Sequence, residues 1–394
     1  MRSTASASPR LHILLVLQSA YPISSGGGAE SQVRTLAHAF RARGQRVTIV
    51  TPMVGHGPQV RLERIDGVPV YRVPYPRIRL LGSPLLWWAH ARFLYARRHR
   101  YDVWHVHIAG QIGAVTALAG RILGKPVMAK LAGPWDLERG ALGKPFLPRN
   151  WLTYPLLRLM RTWQATSQRM AKALLSKGID PQRIVMIPNA VDTGRFRKIP
   201  ARGDGPPHFI YIGRLMPQKA LDILLQAFVR VRAAQPRATL TLVGDGSLAV
   251  ELAGLADSLG IADNVRFTGH RNDIETLLAE ANIGVLCSHT EGLSNSLLES
   301  MASGLPMVAS RISGSEDFVV HGENGWLCEA GDVESLALCM QEAAALSAEQ
   351  RRRYGEQARM RVEHLAGLDA VTHQLLDLYR NAVPSRVGLA QADG

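Results

Sequence analysis

Short apolar runs alternate with segments of helical spacing along the first half of the chain. Leu11–Leu17 (LHILLVL) is the kind of run expected for a strand that is buried on both faces. Apolar residues recur at helical spacing after the glycine turn Gly26–Gly28, and Gly44 stands where a C-terminal cap belongs. Further strands are predicted at Val47–Val50, Val103–Val106, Pro126–Ala129 and Ala173–Leu175. This alternation predicts a parallel sheet with helices on both faces.

The same alternation resumes after residues 199–207 (IPARGDGPP), which are rich in Pro and Gly and are predicted to be a linker. Strands are predicted at Phe209–Ile212, Thr239–Val243, Val265–Phe267 and Ile283–Leu286, and helices at Leu221–Val231, Ala249–Leu259 and Ile274–Glu280. The predicted fold class is α/β, with two Rossmann-like domains, 11–198 and 208–378, facing across a cleft. Residues 1–10 and 379–394 are predicted to be tails. Ligands are expected in the cleft, beyond the carboxyl ends of the strands.

Charge is distributed unevenly between these halves. The 394 residues carry a net charge of +14 with His neutral. Residues 1–200 contain 30 Lys and Arg against 8 Asp and Glu (+22), and residues 201–394 contain 16 against 24 (−8). A basic first half predicts an anionic partner for the first domain. Nucleic acid, an anionic membrane face and a phosphate-bearing acceptor all satisfy that condition.

The cysteines and the apolar runs bear on the cellular compartment. Cys287, Cys328 and Cys339 are few and lack C-x-x-C spacing, which argues against a disulfide framework or a zinc site and favours a reducing compartment. No run approaches the ~18–20 apolar residues that span a bilayer. The N-terminal run is short for a signal peptide and is followed by a glycine-rich turn, so the strand interpretation is preferred. A cytoplasmic location is therefore expected.

Two glycine-containing turns are candidate phosphate contacts. Gly27 and Gly28 stand between a strand and a helix, where backbone amides can approach an anion, although a tight structural turn explains them equally well. Gly213 and Arg214 follow the first strand of the second domain, and Lys219 precedes the next helix. An Arg fork with a Lys point charge can neutralise a diphosphate leaving group without a metal. Two solvated surface cations are the alternative.

The segment from Glu291 to Glu299 has two glutamates with seven residues between them, directly after a buried strand. Glu291 is predicted in the loop and Glu299 in the first turn of the following helix. Ser296 and Glu299 also fit a capping box, which would be a purely structural role. In the functional interpretation, the loop amides face donor phosphates and a carboxylate accepts sugar or ribose hydroxyls. The candidate donor-binding loop residues are Gly292, Leu293, Ser294, Asn295 and Ser296.

An ordered set of motifs resembles the family-4 glycosyltransferases, retaining enzymes of the two-domain GT-B fold. The resemblance covers roughly residues 11–378. Its motifs are GGGAE ending at Glu30, DVWHVH at Asp102–His107, IPNAVDTGRF at Ile187–Phe196, IGRL…K at Ile212–Lys219, VGDG at Val243–Gly246, the E-x₇-E segment, and HGENGWL at His321–Leu327. It implies that Arg214 and Lys219 clamp the donor diphosphate, that Glu291 lies near the donor sugar, and that Glu299 binds the ribose. It further implies catalysis without a metal or other cofactor.

One departure concerns the acceptor side of the predicted cleft. Family members often have a His in the loop that here reads VMAKLAGPWD, and this chain offers Lys130 and Asp136 but no His there. His105 and His107 belong to the preceding strand and share one face, where packing at the cleft wall is the preferred interpretation over a metal pair. The possible acceptor-side residues are therefore His107, Lys130 and Asp136.

Basic and aromatic residues are mixed in Tyr75–Tyr101, and Lys144–Trp163 is similar. Such segments can dock on an anionic leaflet at about 1 kcal/mol per basic residue near the surface. The alternative is a domain helix with its apolar stripe in the core and its arginines in water. The charge of the first half slightly favours docking, so peripheral association with the cytoplasmic membrane face is an additional expectation.

The predicted function is transfer of a sugar from a nucleotide diphosphate donor to a lipid-linked, polysaccharide or other membrane-proximal acceptor. UDP is favoured by its frequency in the family alone. The expected partners are the nucleotide-sugar donor, a phosphate-bearing or lipid-linked glycan acceptor and an anionic membrane surface. A GT-B-fold epimerase or phosphorylase is one alternative. A basic nucleic-acid-binding protein without enzymatic activity is another, but no known binding module is recognised, so nucleic acid is not expected.

Overall fold

The computed structural model describes residues 10–22, 27–54, 59–79, 81–131, 133, 142–143, 148–197 and 205–383, with the backbone alone for 148–150. Most of the predicted linker (199–204) and most of the two predicted tails (1–9 and 384–394) lie outside these ranges. Within them, the chain forms two α/β domains, each built on its own sheet. The prediction of two Rossmann-like domains is therefore confirmed.

The first sheet has the strand order β3-β4-β2-β1-β5-β6-β7-β8, parallel except for the β3–β4 pair. Its strands are β1 His12–Val16, β2 Arg46–Pro52, β3 Leu62–Ile65, β4 Val68–Val73, β5 Val103–Val106, β6 Val127–Lys130, β7 Thr162–Ala165 and β8 Ile184–Met186. The apolar run at β1 is explained by its central place. Ile13 and Leu15 enter the core on one face, and Leu14 and Val16 enter the core on the other.

Helices cover both faces of this sheet. They are α1 Gly28–Ala42, α2 Gly82–Ala96, α3 Gln111–Leu123, α4 Pro148–Leu157 and α5 Gln168–Ser176. The strand predicted at Ala173–Leu175 is wrong, because this segment belongs to α5. Ser167 caps the helix by accepting a hydrogen bond from the Met170 amide, and Met170 and Leu174 are buried one turn apart. A helical period in so short an apolar run outweighs its resemblance to a strand.

The second sheet is entirely parallel, with the strand order β11-β10-β9-β12-β13-β14. Its strands are β9 His208–Ile212, β10 Thr239–Val243, β11 Val265–Phe267, β12 Ile283–Leu286, β13 Met307–Ser310 and β14 Gly325–Cys328. Its helices are α6 Leu221–Ala234, α7 Ala249–Ser258, α8 Ile274–Glu280, α9 Asn295–Ala302, α10 Ser315–Phe318, α11 Val333–Ala345 and α12 Ala348–Ala366. Strand order reverses between β9 and β12, which places a crevice at the carboxyl ends of those two strands.

The last helix, α13 (Leu368–Ala382), returns to the first domain. Val371, Leu375 and Tyr379 join the core that β1 and α1 form, and the Tyr379 hydroxyl lies 2.6 Å from Nδ1 of His105. The sequence placed the start of a tail at residue 379, whereas the helix continues to Ala382 with Tyr379 fully buried. No helix among the described residues has both the length and the apolar character needed to cross a bilayer.

Candidate functional site

Lys219 and Glu291 form an ion pair at the carboxyl ends of β9 and β12. Their side chains are each 15% exposed, and the Ser288 hydroxyl also donates to Glu291 Oε1 at 3.1 Å. The two residues come from different loops, one before α6 and the other before α9. The structure therefore brings together two of the three residues that the sequence proposed as catalytic.

Backbone contacts hold these two loops against each other. The His289 amide donates to the Gln218 carbonyl at 3.0 Å, and the Gln218 side chain donates to the Thr290 carbonyl at 2.8 Å. Ala220 follows Lys219 with a φ of 52°, a left-handed conformation that a residue with a side chain adopts only at a cost. The position of the Lys219 ammonium is thus fixed by the fold.

Arg214 lies on the same loop as Lys219 and is exposed. Its guanidinium has no hydrogen-bond or ion-pair partner among the residues that the structure describes. The backbone beside it is closely packed: a Cβ at Gly244, whose φ is 136°, would lie 1.9 Å from the Gly213 carbonyl oxygen. The VGDG motif therefore packs directly against the backbone of the Gly213–Arg214 turn. The exposed arginine side chain is accessible to an anion.

The structural alternative for Ser296 and Glu299, a capping box, is wrong. Ser294 is the N-cap of α9, and its hydroxyl accepts from the Leu297 amide at 3.5 Å and pairs with the Ser296 hydroxyl at 3.0 Å. Glu299 consequently lies in the second turn of α9, not in the first as predicted. Its carboxyl group makes no hydrogen bond with any described residue. Burial raises the pKa of Glu299 to about 7, although the charge of Arg195 opposes the shift.

Asn295 reaches across the cleft to the first domain. Its Oδ1 accepts from Asn189 Nδ2 at 2.8 Å and from Gln32 Nε2 at 3.1 Å, and its Nδ2 donates to the Gly28 carbonyl at 3.1 Å. Gln32 is itself bonded to both the amide and the carbonyl of Ala190. The glycine turn at Gly27 and Gly28 therefore faces the loop that precedes α9, as a shared donor site requires.

Sequence reasoning missed Gln32 and Asn189 as members of this network. Gln32 is a buried polar residue in the second turn of α1, and Asn189 lies in the IPNAVD motif with its side chain also bonded to the Leu293 carbonyl at 2.9 Å. For Gln32, the sequence did offer an indication, since a polar side chain stands on the apolar side of α1. Nothing local to Asn189 indicates its partner, which is more than a hundred residues away.

Small residues complete the contact between the domains at the Gly292 end of the loop. Ser167 and Ser313 hydroxyls lie 2.7 Å apart, and Ser313 donates to the Gly292 carbonyl at 3.0 Å. A Cβ at Gly133, in the segment after β6, would lie 3.3 Å from the Gly292 amide nitrogen. Both observations put the ends of β6 and β7 directly against the loop that precedes α9.

The acceptor-side candidates are only partly described. His107 and Lys130 are buried at the ends of β5 and β6, and Asp136 lies outside the described residues. Cys287, Cys328 and Cys339 are buried and unpaired. Within the described ranges, no group of three His, Cys, Asp or Glu side chains is arranged to hold a metal ion.

Comparison with known families gives two matches that together cover most of the chain. Residues 26–195 match the model described as Glycosyltransferase Family 4, and residues 192–361 match the model described as Glycosyl transferases group 1. The two matches overlap at residues 192–195, close to the domain linker predicted from the sequence at 199–207.

Curated relatives match over part of their length. The lipopolysaccharide core biosynthesis glycosyltransferase LpsE of Rhizobium meliloti is 34% identical over 42% of this chain and 48% of its own. The UDP-Gal:alpha-D-GlcNAc-diphosphoundecaprenol alpha-1,3-galactosyltransferase of Escherichia coli is 27% identical over 61% of this chain and 65% of its own. The chain thus spans about half to two thirds of the length of these relatives.

Solved structures match over nearly the whole chain. Anabaena Alr3699/HepE in complex with UDP superposes with a TM-score of 0.77 at 22% identity, covering 94% of this chain and 100% of that one. Sucrose-phosphate synthase from Thermosynechococcus elongatus superposes with a TM-score of 0.78 at 22% identity, covering 94% and 99%. At such identities the likeness establishes the fold alone.

Proposed function

Given that the chain belongs to the family-4 glycosyltransferases and has the GT-B fold, we propose that it is an enzyme that transfers a sugar, with retention, from a nucleoside diphosphate donor. The donor occupies the crevice between β9 and β12, under the glycine turn of α1. The acceptor enters from the first domain. The reaction needs no metal in this proposal, because Arg214 and Lys219 supply the positive charge.

The observation that carries the proposal is the Lys219–Glu291 ion pair, with Arg214 on the same loop as Lys219 and without a side-chain partner among the described residues. A departing diphosphate gains charge in the transition state, and cations fixed in advance stabilise that charge without reorganising. Glu291 holds the ammonium in place before the donor arrives, and the donor phosphates then compete for the same ammonium. Glu291 is left beside the sugar, where its carboxylate accepts hydrogen bonds from the sugar hydroxyls.

Glu299 serves the nucleoside in this proposal. It lies one turn into α9, and its carboxyl group is free to accept hydrogen bonds from ribose hydroxyls. The base is proposed to be uracil, which the UDP complexes of the structural neighbours and the UDP-sugar donor of the Escherichia coli relative support.

The acceptor is proposed to be lipid-linked or another membrane-proximal glycan. The diphosphoundecaprenol acceptor of the Escherichia coli relative supports this choice. So do the exposed Trp88 on α2 and Trp151 on α4, which stand on the basic first domain as residues that bind an interface do. Peripheral association with an anionic membrane is the corresponding proposal for location.

Thermal unfolding with and without nucleotides tests the donor site. Wild type is compared with Lys219→Ala in the presence of UDP, GDP, ADP, CMP and NAD, with the exposed Lys172→Ala as matched control. A ligand at a hundred times its Kd adds about 2.7 kcal/mol, which raises Tm by several degrees. One nucleoside diphosphate should stabilise wild type and the control, and Lys219→Ala should lose most of that shift.

Two results contradict the proposal. If no nucleoside diphosphate raises the Tm of wild type, or if NAD alone does, the donor site does not exist as described. If UDP stabilises Lys219→Ala as much as it stabilises wild type, the nucleotide binds but Lys219 does not hold its diphosphate.

A further inference from the structure

A cluster of basic side chains is buried at the carboxyl ends of β5 and β6, on the face that α13 covers. The register pairs His105 with Met128 and Lys130 with Gln164. Two residues after His105, just past the end of β5, His107 therefore lies beside Lys130. His105 and His107 have their ring centroids 4.2 Å apart. Lys130 is only 4% exposed.

The polar atoms of this cluster are unevenly satisfied. His105 is bonded through Nδ1 to the Tyr379 hydroxyl at 2.6 Å. Among the described residues, Lys130 Nζ and both ring nitrogens of His107 have no hydrogen-bond partner. A buried amine without a partner destabilises a fold, because its hydrogen bonds to water are lost on burial and no hydrogen bond within the protein replaces them. Packing therefore gives no reason for a lysine at this position.

Among the described residues, the titratable groups close to Lys130 supply no negative charge. They are His105 of β5 and His107, which directly follows β5, and Tyr379 of α13 is bonded to His105. Burial lowers the pKa of His105 to about 3 and that of His107 well below its ordinary value, and it raises the pKa of Tyr379. Burial lowers the pKa of Lys130 to about 7, and no carboxylate of a described residue opposes that shift. In the part of the chain that the structure describes, the cluster thus holds hydrogen-bond donors and no anionic acceptor.

The position of Lys130 relates it to the cleft. It is the last residue of β6, and Gly133, three residues later, is packed against Gly292 of the loop that precedes α9. Opposite Lys130, β7 leads through Thr166, whose buried hydroxyl also lacks a partner among the described residues, to the Ser167–Ser313 contact. Lys130 therefore stands at the first-domain side of the crevice in which the donor is proposed to bind.

We propose that Lys130, with His107 beside it, binds an anionic oxygen group of a substrate, either the donor diphosphate or an acidic group, phosphate or carboxylate, on the acceptor. The inference rests on the proposed function and adds a contact from the first domain to it. Lys130 is the cation and His107 a neutral donor at the same group. An unpartnered cation retained at a cost to stability is what a binding site of this kind requires.

Proton uptake on binding is the readout that a structural lysine would not give. The anion stabilises the ammonium, so at a pH above about 7 a proton is taken up with the ligand, and affinity falls as pH rises. Below that pH the amine is already charged and no uptake is needed. Isothermal calorimetry in buffers of different ionisation enthalpy measures the uptake at about pH 6 and about pH 8.5.

The experiment has a donor arm and an acceptor arm. UDP, GDP and ADP are the donor probes, and inorganic pyrophosphate and D-glucuronate, each added to the nucleotide complex, are the acceptor probes. In Lys130→Met the responding probe should bind about 10- to 100-fold more weakly, for loss of a charge-assisted hydrogen bond, and without proton uptake. The free variant should unfold at the same temperature as wild type or higher, and Lys172→Met is the matched control.

Lys130→Arg is the second variant, and it keeps the test decisive if Lys130→Met does not fold. A guanidinium remains charged at every pH used, so this variant should bind the probe without proton uptake. The two arms are distinguished in wild type. Proton uptake by wild type with a nucleotide assigns Lys130 to the diphosphate, and proton uptake with an acceptor probe alone assigns Lys130 to the acceptor.

The inference is overturned if the Lys130 variants bind every probe as wild type does, with the same proton uptake. It is also overturned if wild type takes up no proton with any probe. In either case the proposed function stands as long as Lys219→Ala loses most of the rise in Tm that the nucleotide causes in wild type. If wild type binds no nucleotide at all, the proposed function fails and the inference fails with it.

Discussion

Glu299 is a residue whose burial and charge oppose each other. Its folded pKa, about 7, lies above the ordinary value of 4.5. Between these two values the folded state holds its proton more tightly than the unfolded state, so stability is greatest at low pH and declines as pH rises toward 7. A carboxyl group poised in this range changes its charge readily when ribose hydroxyls approach it.

Replacing Glu299 should flatten the pH dependence of stability. In Glu299→Gln, the free energy of unfolding should decline by about 2 kcal/mol less than in wild type between about pH 5 and pH 7. Urea unfolding at intervals of one pH unit measures this difference. The exposed Glu323→Gln is the control, and an identical slope in wild type and Glu299→Gln would show that Glu299 is charged throughout.

Individual site residues were predictable from the sequence only where position along a strand decides them. Lys219 and Glu291 each follow a strand of the second sheet, and strand ends meet in space. The choice between Ser294 and Ser296 as helix cap was not predictable, because two serines two positions apart fit the same motif. Asn295 was predicted to bind the donor, yet its amide bonds to Gln32, Asn189 and Gly28. No local pattern indicates such distant partners.

At the scale of elements, α2, α3 and α4 form a layer whose outer side is unusually apolar. α3 packs between the other two helices. Trp88 of α2 is 63% exposed and Trp151 of α4 is 75% exposed, with Ile122 of α3 also on the surface. The Arg92 guanidinium lies 5.6 Å from the centre of the Trp88 ring. Aromatic rings beside arginines suit the interface of an anionic bilayer.

Removing the two exposed tryptophans should weaken membrane binding. Burial of one large side chain contributes about 1.5–3 kcal/mol, so Trp88→Ala/Trp151→Ala should bind anionic vesicles at least about tenfold more weakly. Flotation with vesicles of phosphatidylglycerol and phosphatidylcholine measures the binding of both proteins. Added salt should weaken wild-type binding. Val250→Ala, which removes an exposed apolar side chain from the second domain, is the control. Equal flotation of wild type and the double variant would exclude this surface.

Helix and strand types followed from the apolar period except where the run was short. The stretch around Ala173–Leu175 offers four or five informative positions, too few to separate a period of 2.0 from one of 3.6. The same ambiguity did not affect β1 or β9, because a glycine turn or a glycine-arginine turn marks where each strand ends.

At the scale of the whole molecule, the two domains are joined by polar contacts across the cleft. Asn295 bonds to the first domain at three points, Ser167 meets Ser313, and Arg169 pairs with Glu316 at 2.6 Å. The two-domain arrangement was predictable from the repeated alternation and the Pro- and Gly-rich linker. These cross-cleft contacts were not, since each depends on the angle at which the domains meet.

Asn295→Ala should open the cleft. Loss of three hydrogen bonds of about 1 kcal/mol each shifts the closed–open equilibrium by about 150-fold. Small-angle X-ray scattering should show a larger radius of gyration for nucleotide-free Asn295→Ala, reduced again by the nucleotide. Arg311→Ala, which breaks an exposed ion pair inside the second domain, is the control. An unchanged radius in Asn295→Ala would mean that other contacts hold the domains together.

Because helix α13 completes the core of the first domain, it determines when that domain can finish folding during synthesis. The strands of the first sheet leave the ribosome early, but 180 residues, 188–367, separate Ile187 from the helix that completes their core. At about 5–20 residues per second, that interval lasts about 10–40 s. During it, the apolar residues of β1 and α1 that Val371, Leu375 and Tyr379 cover in the folded protein have no such cover, so the first domain completes its core only after the second has been synthesised.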